Sequence, residues 1–150
     1  MRLLAILAAA MLAGCGASPP PAEPSKIDAT QEEWYGKAVQ QLAAMDRQAK
    51  ALLERGKDDE AASIITAGEP WVNRVLAVPR PTLEAMEAAS DLDDLYGRML
   101  LKNRNYGWAR IVFQKNRARW KNWKPQTDET ARRLKLTDDA IAECDRRMVE

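Results

Sequence analysis

The sequence has no histidine, two cysteines and one phenylalanine. Without histidine there is no Ser-His-Asp triad, no imidazole base and no imidazole metal ligand. Two cysteines cannot build a disulfide framework or a four-cysteine zinc site. Excess charge of either sign is missing too: 23 basic residues face 22 acidic ones. That balance argues against affinity of the whole chain for nucleic acid and leaves only local patches. No apolar stretch approaches the roughly 20 residues that a spanning helix needs. No glycine-rich phosphate loop and no metal-ligand spacing occurs, so neither cofactor nor metal is expected. The 150 residues suit one domain with a core of its own.

What is present begins at the N-terminus. Arg2 precedes an apolar run, Leu3 to Leu12, of the length of a secretory h-region. Leu12-Ala13-Gly14-Cys15 follows. This tetrad resembles the lipobox of bacterial lipoproteins. The resemblance implies removal of residues 1–14, diacylglycerol on the Cys15 thiol, and in many bacteria a third chain, such as palmitate, on its amino group. An ordinary cleaved signal peptide is the other reading. Two or more acyl chains, at about 0.8 kcal/mol per buried CH₂, anchor stably where one does not. Gly16, rather than Asp, follows the cysteine. In a Gram-negative host the resemblance then implies the outer membrane, with the domain facing the periplasm. Residues 15–27 are rich in Pro, Ser and Ala and read as a lipid-anchored tether. Residues 28–150 are expected to form a single helical domain.

From Asp28 onward there is no sustained period-two alternation, and each sizeable segment reads as helix. Asp28 or Thr30 can cap a first helix reaching Arg55, with Leu42, Met45, Ala49, Leu52 and Leu53 on one face and Gly56 closing it. Asp58 opens a second, expected to end at Gly68. Pro70 is expected to start a short third, Trp71 to Val78. Thr82 to Lys102, Tyr106 to Trp123, and Thr127 or Asp128 to Met148 complete a set of six. Short connections predict antiparallel neighbours.

Two hairpins share a pattern of small and large residues around a turn: Ala49, Leu52, Gly56, Ala61, Ile65, and Gly97, Leu100, Tyr106, Ala109, Phe113. The pattern resembles the tetratricopeptide repeat, most closely at Gly97, Tyr106, Ala109 and Phe113. The resemblance implies an all-α array of antiparallel hairpins in which small residues let two helices approach. A plain antiparallel helical bundle is the alternative.

Lys102 to Lys124 holds eight cations and no acid. At 100° per residue Arg110, Arg117, Lys121 and Lys124 share a stripe about 60° wide. Such a stripe suits an anionic partner. It could equally be neutralised by Glu84, Glu87, Asp91, Asp93 and Asp94 of the preceding helix. Trp34, Trp71 and Trp120 read as core or groove fillers. Trp108 and Trp123 fall off the apolar face, as core-edge residues or as exposed anchors at an interface. Cys144 shares the apolar face of the last helix with Leu134, Ile141 and Met148. It reads as a buried thiol, with an intermolecular disulfide as the alternative. The acid clusters Asp58-Asp59-Glu60, Asp91/Asp93/Asp94 and Asp138-Asp139 read as helix starts or solvated faces.

The sum predicts a non-enzymatic, membrane-tethered helical adaptor for another envelope protein, with Arg110, Arg117, Lys121, Lys124, Trp108 and Trp123 as its binding residues. In outline the chain resembles small helical-repeat lipoproteins that assist assembly of outer-membrane proteins or pilus secretins. The alternative is a lipoprotein that engages anionic lipid or glycan through the basic helix. The export signal makes nucleic acid an unexpected partner.

Overall fold

A computed structural model describes residues 28–149. The expected signal peptide, the expected lipidation site Cys15 and the expected tether lie outside the described residues. A 3-10 turn, Ala29–Gln31, leads into α1 (Glu33–Glu54), α2 (Asp58–Leu76), α3 (Leu83–Lys102), α4 (Tyr106–Asn122) and α5 (Asp128–Val149). The described residues contain no strand. The protein is all-α, and consecutive helices pack as hairpins, with α1 also lying against α3.

Helix ends follow local chemistry. The Asp28 carboxylate accepts from the Thr30 N–H at 3.0 Å and caps the 3-10 turn rather than α1. Gly56, at φ 71°, closes α1, with the Gly56 and Lys57 N–H groups donating to Leu53 and Leu52 carbonyls. The Thr82 hydroxyl accepts from the Ala85 N–H at the start of α3. Thr127 and Thr130 cap α5 reciprocally, each hydroxyl accepting from the other's N–H.

Among the described residues five α-helices stand where six were expected, because α2 runs unbroken through Gly68 and Pro70. Gly68 is buried inside the helix, and a Cβ there would lie 2.3 Å from Leu92 Cδ2. Its missing side chain lets α2 approach α3; it is a packing residue, not a stop. Pro70 removes one donor on an exposed turn, and the flanking packing of Gly68 and Val72 carries the helix past it. α4 ends at Asn122, one residue early, and Lys124 lies beyond its C-terminal cap Trp123.

α3 is the central element. Ala85, Ala88, Ala89, Leu92, Leu95 and Met99 join Tyr35, Leu42, Met45 and Ala49 of α1 and Ile65, Val72 and Val75 of α2 in one core. A second cluster joins Ala109 and Phe113 of α4 to Cys144 of α5, with Leu100 and Leu101 of α3 against it. The two hairpins meet polar groups as well. The Thr82 N–H donates to the Tyr35 hydroxyl at 3.0 Å, and the buried Asn116 amide donates to the Ser90 carbonyl at 2.9 Å. Arg119, nearly buried, joins Asn116 to Asp93 through one guanidinium nitrogen, at 2.7 and 2.6 Å.

Candidate interaction surfaces

The structure divides the six expected binding residues among three places. Arg110, Arg117 and Lys121 come together along a shallow depression between α4 and α5. Two of them meet acids there: Arg110 pairs with Asp145 at 2.6 Å and Arg117 with Asp138 at 2.5 Å. The neutralising helix is therefore α5, not α3. The acids of α3 look elsewhere: Asp93 to Lys115 and Arg119, Asp91 to Arg133, and Asp94 to Arg98. Asp138 and Asp139 lie within α5, and Asp139 pairs with Lys135. Lys121 is exposed and forms no ion pair among the described residues; Lys124 is exposed in the connection to α5.

Trp108 points the other way. On a helix of 3.6 residues per turn it stands roughly 140–180° from Arg110, Arg117 and Lys121. It is 67% exposed, on the flank that faces α2. Ile111, one turn on, is 54% exposed, and Tyr96 of α3 is 37% exposed. The three rim a cleft of about 340 Å³ whose walls include Ile65 and Val72 of α2, Leu92 of α3 and Val112 of α4. Glu69 and the Lys115–Asp93 pair supply its polar edge. Trp123, by contrast, is half-buried at the C-terminal cap of α4, where the Gln126 amide donates to its carbonyl.

The other tryptophans take different parts. Trp120 is buried, with the Arg133 guanidinium 5.2 Å from its ring centre. Trp34 is half-buried, edge-on to Tyr35, and covered by Arg74 at 4.3 Å. Trp71, expected as a filler, is 37% exposed. The Cys144 thiol is fully buried, and burial, with Asp145 beside it, pushes it above the usual thiol range. Met148, expected on the same apolar face, is exposed.

Glu129 on the first turn of α5 is held well below the usual carboxylate range. The hydrogen bond from Arg132 and then that from Arg133 bring it down to about 2. Among the described residues no group of three Cys, Asp or Glu side chains is placed to hold a metal. No described helix is long and apolar enough to cross a membrane. No family model, curated protein or solved structure matches the chain.

The surface that sequence reasoning passed over is the second apolar face of α4. Trp108, Ile111 and Val112 stand at i, i+3 and i+4 and mark it. The basic residues around them drew attention to the opposite flank.

Proposed function

We propose that the protein is a lipid-anchored helical adaptor that binds another cell-envelope protein through the face centred on Trp108. The lipobox-like tetrad ending at Cys15 supports the anchor, and with it attachment to the outer membrane in a Gram-negative host. The observation that carries the adaptor reading is the exposure of Trp108, Ile111 and Tyr96 around one cleft. Large apolar side chains gathered at a surface, with a polar rim, are what partner proteins bury. The pairing of Arg110 and Arg117 with α5 acids counts against a purely electrostatic contact with lipid or glycan.

The test is a membrane pull-down of the lipidated protein with mass spectrometry. Wild type, Trp108→Ala with Ile111→Ser, and Arg117→Glu with Lys121→Glu are compared after circular dichroism confirms folding. One envelope protein recovered with wild type and with the charge variant, but lost with the Trp108 variant, is the expected result. Recovery that ignores Trp108 and collapses with the charge variant, or at moderate salt, favours the electrostatic alternative.

A further inference from the structure

On the face of α3 turned toward α1, a second cleft of about 550 Å³ opens between the two helices. Tyr35, Val39, Ala43 and Ala88 give it an apolar lining. Asp46 stands in the wall. Its Oδ1 is buried and has no hydrogen-bond partner. Burial holds this carboxyl above the usual range; Lys50 and Arg47 outweigh the opposing push of Asp91 and Asp94 but not the burial. An unpaired carboxylate beside an apolar lining is unfavourable in the free protein. A cation entering the cleft would supply what the fold withholds.

The remaining charge has the same sense. Glu84, Glu87 and Asp91 also line the cleft, against Arg47 alone. Asp91, and more distantly Glu87, are engaged by Arg133, so Asp46 and Glu84 line the cleft without an ion pair. We propose that this cleft binds a segment of a partner protein that presents one lysine or arginine from an otherwise apolar stretch, with the cation on Asp46 and the flanking side chains on Tyr35, Val39 and Ala43. A charge-assisted hydrogen bond inside an apolar cleft gives both affinity and register. The site is separate from the Trp108 face and stands whether or not that face binds an envelope protein.

The experiment is a selection of random 12-residue display peptides on the full chain in detergent. Selected peptides are then titrated by fluorescence anisotropy. The expected peptides carry Lys or Arg flanked by apolar residues. Asp46→Asn, which keeps the shape of the side chain, should weaken them at least tenfold. Replacing the peptide's Arg by citrulline, or its Lys by norleucine, should weaken wild-type binding equally and Asp46→Asn binding no further. Ala43→Arg, which fills the cleft with a cation of the chain's own, should abolish binding while far-ultraviolet dichroism stays unchanged. Selection without basic enrichment, or peptides that bind Asp46→Asn as tightly as wild type, would overturn the proposal. So would selected peptides that match this chain's own segments, because the occupant would then be a second copy.

Discussion

A Cβ placed on Gly97 of α3 would lie 2.6 Å from Cε1 of Phe113 on α4. Real side chains do not approach so closely, so the ring lies on α3 only because position 97 has no side chain. Phe113 is itself buried, held between α3 and Cys144 of α5. Gly97→Ala should therefore destabilise the protein by about 1–3 kcal/mol in urea unfolding, the range for overpacking a core. Adding Phe113→Leu, which withdraws the ring edge, should recover part of that loss. A Gly97→Ala protein as stable as wild type would mean that α3 and α4 pack further apart.

Asp46 gives a prediction of opposite sign. Burial raises its carboxyl in the folded state, so the folded protein holds the proton more tightly than the unfolded chain. The penalty is full above the folded value and fades as pH falls toward the ordinary 3.8. Asp46→Asn should raise Tm at pH 7, and the gain should shrink on acidification and vanish below the ordinary value. A pH-independent gain would trace to packing instead.

The cations of the basic stripe should not behave alike. Arg117→Glu and Arg110→Glu place like charges against Asp138 and Asp145 and should each lower stability by about 0.5–1 kcal/mol. Lys121→Glu, with no acid partner among the described residues, should be close to neutral. Equal effects at all three positions in urea titrations would show that the two ion pairs do not form in solution.

Cys144 should resist iodoacetamide in the native protein and react once it is unfolded, since the thiol is buried and its ionisation suppressed. Cys144→Ser, which sets a hydroxyl among Ala109, Phe113 and Ile141, should cost about 1–3 kcal/mol. Fast alkylation of the native protein would place the thiol at the surface and reopen the intermolecular disulfide.

Most helix boundaries were legible because capping residues act locally. Thr82, Gly56 and Thr127 mark their ends within one turn of chain. Gly68 was not legible in that way. Glycine stops a helix where φ is positive and joins a helix interior where a neighbour presses close, and only the position of Leu92 distinguishes the two. The basic stripe was legible as a stripe, since 3.6-residue periodicity sets it. Which helix neutralises it depends on how α5 packs, and Asp138 and Asp145 lie 21 and 35 residues beyond their partners. Periodicity sets Trp108 off the core face as well, but Trp108 stands on the flank of α4 opposite the stripe. Asp46 gave no signal, because one acid among α1's solvated charges looks like any other until α3 is laid against it.

Trp108 is the proposed contact with a partner. A photoreactive phenylalanine analogue placed at position 108 tests it in living cells, with the same analogue at 121 on the basic flank and at 40 in the α1–α3 cleft. The expected result is a discrete high-mass adduct from position 108, formed with a membrane protein and absent from position 121. No adduct at 108, or the same adduct at 121 with none at 108, would contradict it.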